Sequence, residues 1–122
     1  MTILRIPLKP VSINAAFQGR RFKTKECVKF CEDFMLVMPR KEMVEGVVEV
    51  EYHFYMVNHK MVDYDNVIKV TQDMLVKKKY IEDDRKIYKA TIYKIPSDSD
   101  FIVVSIKPLD LEYIIKKFQT KL

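Results

Sequence analysis

The chain has 122 residues, of which 48% are hydrophobic, and its formal net charge at pH 7 is +5. This length suits one domain with its own core, and the apolar content excludes an intrinsically disordered chain. The longest apolar run, Phe34–Met38, is far shorter than the roughly 20 residues of a membrane-spanning helix, and Met1–Ile6 lacks the apolar core of a secretion signal. We therefore expect a cytoplasmic protein of one domain, residues 1–122, with no membrane partner. The positive charge favours a polyanionic partner without requiring one.

Alternating side chains and turn signals predict the elements of the N-terminal half. Thr2–Leu8 is predicted to be a strand, and Pro7 within it favours an edge position or an early end. Lys25–Val37 is predicted to be a helix that Thr24 caps. Val47–Val57 alternates between apolar and polar side chains, as a strand with one buried face does.

The cysteines and histidines suggest a zinc site only at first sight. Cys27 and Cys31 lie four residues apart in the predicted helix, and the histidines are His53 and His59. This spacing matches no common zinc pattern, so reduced, half-buried thiols are the simpler interpretation. His53, on the polar face of its strand, is either a candidate acid or base or a plain surface residue.

A helix is predicted to follow Asp65 and to extend to Lys79. Its apolar side chains recur at helical spacing and should face a sheet. They are Val67, Ile68, Val70, Met74 and Leu75, with Thr71 among them. The opposite arc is polar and consists of Asp65, Asn66, Lys69, Gln72 and Asp73.

Carboxylates stand at both ends of this predicted helix. Asp63 and Asp65 lie at its start, and Asp83 and Asp84 lie just past its end. If the helix folds both ends back onto one edge of a sheet, these oxygens could converge on a hard metal ion. Alternatively, Asp65 or Asn66 is only a helix cap that accepts an orphan backbone N–H. The spacing alone leaves both interpretations open.

Lys69 lies four residues after Asp65 on the same polar arc. It would form an exposed ion pair with Asp65, which contributes about 0.3–0.5 kcal/mol. Alternatively, its ammonium would lie beside a metal-bound phosphate and stabilise the charge that develops on the phosphoryl oxygens.

The C-terminal part predicts two strands and a helix. Arg85–Ile95 and Phe101–Ile106 are the strands, and the second, nearly continuous in apolar residues, should be central. The aspartates of Pro96–Asp100 are turn formers. Leu109–Phe118 is the last helix, whose apolar face would pack on the domain or on a second subunit. That face is formed by Leu111, Ile114, Ile115 and Phe118. Together the elements predict a compact α+β domain with a mixed β-sheet packed against helices.

The run Asp63–Asn66, followed by Lys69 and Asp84, resembles the RusA family of Holliday junction resolvases. The resemblance implies that Asp63, Asp65 and Asp84 are catalytic residues that hold Mg²⁺, with Mn²⁺ as a substitute, and that Lys69 is also catalytic. Two departures bear on substrate preference. Val62 stands where some members carry a basic residue, and Lys77–Tyr80 replaces a Gly-aromatic turn.

The resemblance extends more loosely to the N-terminal loop. Pro10–Asn14 is similar to the Pro-x-Ser-x-Asn loop of the family, and the basic-aromatic stretch Arg20–Lys23 follows it. Without the resemblance, this loop is equally well a solvated segment. The residues expected to contact DNA are Asn14, Arg20, Arg21, Lys23, Lys77, Lys78 and Lys79.

The resemblance implies a crossover junction endodeoxyribonuclease that acts on branched DNA in the cytoplasm, that of the host if the gene is carried by a phage. Because each chain has one Asp-x-Asp-Asn motif and a four-way junction has two symmetric cut points, we expect a homodimer. Two alternatives stay open. One is a nuclease of broader specificity for flaps and forks, and the other is a basic DNA-binding module whose aspartates are only caps.

Overall fold

The computed structural model describes residues 1–13, 17–18 and 22–119. Its strands are β1 (Thr2–Ile6), β2 (Phe17–Gln18), β3 (Phe22–Lys23), β4 (Val48–Met56), β5 (Ile87–Pro96) and β6 (Phe101–Pro108). Its helices are α1 (Lys25–Val37), α2 (Ile68–Lys77) and α3 (Leu111–Gln119). Short 3₁₀ turns span His59–Met61, Tyr64–Val67 and Asp84–Lys86.

The main sheet has four strands in the order β1-β6-β4-β5. β6 is antiparallel to both of its neighbours, whereas β4 and β5 are parallel. A parallel pair needs a long crossover connection, and α2 provides it. The mixed sheet and the three helices confirm the predicted α+β fold, and β6 is central as predicted.

The core lies between one face of this sheet and the helices α1 and α2. Along β4 the buried side chains alternate with half-buried ones, as predicted, because one face of the strand packs on the helices. On α2 the buried side chains belong to the predicted apolar arc, and they are Val70, Thr71, Met74 and Leu75. The pattern of apolar residues therefore predicted which face of β4 and of α2 is inside.

Several predicted boundaries shift by a few residues. β1 ends at Ile6, directly before Pro7, and it forms an edge of the sheet as predicted. α1 has the predicted bounds, and the Thr24 side chain accepts a hydrogen bond of 3.3 Å from the Cys27 N–H. The strand predicted from Arg85 begins only at Ile87, because Asp84–Lys86 is a 3₁₀ turn.

Asp100 does more than form the turn that was predicted for it. Its Oδ1 accepts a hydrogen bond of 2.9 Å from the backbone N–H of Val57, the residue that follows β4. The β5–β6 turn is thereby tied to the point where the chain leaves β4 and runs towards Asp63.

α3 presents the predicted apolar face, but the described residues bury none of its side chains. Ile115 and Phe118 are 53% and 46% exposed. Within the described residues, no helix combines the length and the apolar character that crossing a bilayer requires.

Candidate functional site

The loop that carries Asp63 and Asp65 reaches α2 through a 3₁₀ turn. The backbone N–H of Asn66 bonds to the carbonyl of Asp63 at 3.1 Å. In the described structure no side chain caps either this turn or α2, so the prediction that Asp65 or Asn66 is a helix cap is wrong. The Asn66 N–H is already hydrogen-bonded within the 3₁₀ turn, so it does not need a side-chain cap.

The carboxylates of Asp63 and Asp65 are both exposed. No hydrogen bond or ion pair from a described residue engages either one. The loop itself is held from β5, because the Lys94 ammonium donates a hydrogen bond of 2.8 Å to the carbonyl of Val62. The carboxylates of Asp63 and Asp65 are therefore without a described partner, while the backbone of their loop is held in place by Lys94.

One interpretation predicted an ion pair between Lys69 and Asp65. In the structure Lys69 pairs with Asp73 instead. Its ammonium lies 2.9 Å from Asp73 Oδ1 and 4.0 Å from Asp84 Oδ2. The hydrogen bond and charge of Asp73 raise the pKa of Lys69, and the charge of Asp84 adds to this. The sequence analysis placed Asp73 on the polar arc but did not identify it as the partner of Lys69. Its spacing of four residues from Lys69 equals that of Asp65.

Tyr52 of β4 anchors the helix turn that carries Lys69 and Asp73. Its side chain is fully buried, and its hydroxyl donates a hydrogen bond of 2.9 Å to Gln72 Oε1. Burial raises the pKa of Tyr52, and the negative charges of Asp73 and Asp84 raise it further. The neutral tyrosine thus ties α2 to the sheet close to both carboxylates.

The two neighbouring aspartates after α2 have different roles. Asp83 accepts a hydrogen bond of 3.0 Å from the Arg85 N–H and pairs with the Arg85 guanidinium at 3.3 Å. The Arg85 backbone N–H, followed by the side chains of Asp84 and Arg85, lowers the pKa of Asp83 to about 2. Asp83 therefore caps the 3₁₀ turn, whereas Asp84 faces Lys69.

The oxygen donors of the three predicted ligands suit a hard cation such as Mg²⁺. Their arrangement is less complete, because among residues 1–13, 17–18 and 22–119 no group of three or more His, Cys, Asp or Glu side chains is placed to hold a metal ion. The fold brings Asp84 to Lys69, but it does not gather Asp63, Asp65 and Asp84 into one ligand group.

Of the residues predicted to contact DNA, Asn14, Arg20 and Arg21 lie outside the described residues, and Lys23 lies on β3. The other three follow one another at the end of α2, where Lys77 and Lys79 are exposed. The Lys78 ammonium donates a hydrogen bond of 2.8 Å to the carbonyl of Met35, which gives it a structural contact.

Comparison with known proteins supplies the family. No curated protein matches the chain significantly. The model of the family described as endodeoxyribonuclease RusA matches residues 10–107, well over half of the chain and all of the site from Asp63 to Asp84. The chain therefore belongs to the RusA family of endodeoxyribonucleases.

Proposed function

We propose that this protein is a metal-dependent crossover junction endodeoxyribonuclease that resolves four-way DNA junctions by paired symmetric nicks, in recombination and repair. Family membership supports a junction-resolving endonuclease in general. One observation carries the proposal for this chain. The Lys69 ammonium, on the helix, lies 4.0 Å from Asp84 on the turn beyond it, beside a loop whose two carboxylates engage no described residue.

The three aspartates would hold the ion in this proposal. Asp63, Asp65 and Asp84 would bind Mg²⁺, or Mn²⁺ in its place, through carboxylate oxygens. A bound ion supplies polarisation of the phosphodiester and an activated water. Because the described residues do not gather the three carboxylates, binding of the ion would have to draw Asp63 and Asp65 closer to Asp84.

Lys69 would stabilise the charge that develops on the phosphoryl oxygens. Such a donor must be oriented before the reaction, since its benefit depends on requiring no reorganisation. Asp73 holds the ammonium at 2.9 Å, and Tyr52 holds the turn that carries both residues. Asp73 therefore acts as a positioning residue for Lys69.

One incubation tests the activity. Purified protein is mixed with a mobile four-way junction, a flap and a linear duplex, with Mg²⁺ and with EDTA. We expect Mg²⁺-dependent cutting of the junction at symmetric positions on opposing strands. Equal cutting of flaps would favour the broader nuclease instead, and binding without any cutting would favour the non-catalytic module.

We further propose a homodimer, since two symmetric cuts require two sites. The exposed apolar face of α3 and the edge of β1 are the candidate contacts. A charge placed in an apolar contact would be desolvated without a partner, so Ile115→Glu should give monomers that no longer make paired nicks. Sedimentation equilibrium tests this. A wild-type monomer that still makes paired nicks would contradict the dimer, and a dimer that survives Ile115→Glu would exclude α3 as its interface.

A further inference from the structure

A second charged surface lies at the opposite end of α2 from the acidic site. There a cleft of about 390 Å³ opens between the end of α1, the segment after it and the end of α2. It is lined by Met35, Arg40, Lys41, Lys77, Lys78 and Lys79, and we refer to it as the basic cleft. All of its polar lining side chains are cationic.

Two of these five cations have contacts within the protein. Lys78 donates to the carbonyl of Met35 at 2.8 Å, and Lys41 donates to the carbonyl of Ile3 at 3.1 Å. The first bond joins two walls of the cleft, and the second ties the segment after α1 to β1. Arg40, Lys77 and Lys79 are exposed, and no ion pair or hydrogen bond from a described residue engages their side chains.

Gathering like charges without a carboxylate between them is unfavourable, because they repel one another in the free protein. A cleft lined by charges of one sign also concentrates the field and attracts ions of the opposite sign. The C-terminus of a helix attracts cations, and this accounts for one or two of the five cations in the cleft. The number of unpaired cations exceeds this need and points to a polyanion.

The position of the cleft selects the polyanion. Lys69 and Lys77 are eight residues apart on one helix, which corresponds to about 12 Å along its axis. Successive phosphates of one DNA strand advance by about 3.4 Å along the duplex axis. A strand whose scissile phosphate lies at Lys69 would therefore bring phosphates about three to four nucleotides away to the cleft.

We propose that the basic cleft is a DNA-backbone site that binds the phosphates of a junction arm next to the cut, with Arg40, Lys77 and Lys79 as the contacting cations. This inference rests on the proposed function for its ligand, and it adds Arg40 to the residues that the sequence indicated. Phosphate contacts position DNA without reading its sequence. The cleft should thus bind duplex arms of any sequence.

Binding measured in EDTA tests the cleft without relying on nuclease activity. For a four-way junction and a linear duplex, the slope of log affinity against log salt is compared between wild type and Arg40→Ala/Lys77→Ala. Each lost phosphate contact lowers the magnitude of this slope by about 0.9, so a decrease of about 1.8 for each chain bound to the DNA is expected. Lys116→Ala/Lys117→Ala on α3 removes the same charge and should leave the slope nearer to that of the wild type.

A slope equal to that of the wild type, or a decrease that the α3 control reproduces, would overturn the proposal. Single variants Arg40→Gln and Lys77→Gln, each expected to lower the slope by about 0.9 for each bound chain, give the same test if the double variant does not fold. Cleavage with Mg²⁺ at subsaturating junction should fall in each variant in proportion to its loss of affinity, and a cleavage rate that falls further than the affinity would contradict a purely binding role. A wild-type protein that fails to cut would refute the proposed function and leave the EDTA result standing.

Discussion

The two ends of α2 are built in opposite ways. At the C-terminal end the backbone N–H groups of Lys78 and Tyr80 bond to Met74 and Leu75, both at 2.9 Å. Tyr80 is fully buried, and its hydroxyl donates to the carbonyl of Pro39. At the N-terminal end no described side chain caps the helix, and the carboxylates of Asp63 and Asp65 engage no described residue.

The two ends of this ten-residue helix therefore differ in role. Buried groups at the C-terminal end stabilise the fold, and the N-terminal end carries the proposed active site. The C-terminal end fixes the position of α2 against α1, so the other end can carry exposed carboxylates, those of Asp63 and Asp65, that engage no described residue. Proteins commonly leave local rules unsatisfied at functional sites and compensate elsewhere. Substitutions at the N-terminal end should therefore change catalysis, and those of buried groups at the C-terminal end, such as Tyr80, should change stability.

The largest expected effect is on cleavage by the aspartate variants. Asp63→Asn, Asp65→Asn and Asp84→Asn should each reduce junction cleavage below detection, because each would remove a charged oxygen from the proposed set of metal ligands. Junction binding should be equal or tighter, since less negative charge faces the phosphates. Asp98→Asn, in the β5–β6 turn, is the matched control for charge. A variant that cuts at the wild-type rate would remove its residue from the proposed site.

Lys69→Ala should lower the cleavage rate by about a hundredfold, the scale for losing one donor to a transition state. Its melting temperature should change little, because the Lys69 side chain is 49% exposed and exposed ion pairs contribute little. Single-turnover cleavage and thermal unfolding are measured on the same preparation. A large loss of stability together with activity would instead indicate a structural ion pair.

The sequence predicted most of this fold because apolar spacing records which face is buried. It predicted the face of α2, the alternation of β4 and the Thr24 cap. It named Asp65 as the partner of Lys69 and missed Asp73, because both lie four residues away and the spacing alone does not distinguish them. The bond from Lys94 to Val62 crosses 32 residues, and no local pattern indicates it.

Tyr80→Phe tests the stabilising end. The carbonyl of the exposed Pro39 would lose this partner, and the loss of such a hydrogen bond costs about 0.5–1.5 kcal/mol. Burial raises the pKa of Tyr80 above 10.0, so its neutral form favours the folded state, and the stability it contributes is present below pH 10 and lost as pH rises through its raised pKa. The variant should lack that part of the alkaline loss. Chemical denaturation across pH measures both effects, with the exposed Tyr88→Phe as control; equal stabilities of the two variants would contradict the role of Tyr80.

The smallest effect concerns Lys79, which has a left-handed backbone with φ of 64°. A side chain in this conformation costs about 1 kcal/mol, and glycine avoids that cost. Lys79→Gly should therefore be more stable than Lys79→Ala by about that amount, which corresponds to a melting temperature higher by a few degrees.

Both variants remove the same charge, so they separate the backbone role of Lys79 from its proposed contact with DNA. If that contact exists, each lowers the salt slope of junction binding by about 0.9 for each bound chain, whatever the difference in stability. Equal melting temperatures would show that the turn tolerates a side chain without strain. A smaller slope in only one variant would show that the change in DNA affinity comes from the backbone rather than from the lost ammonium.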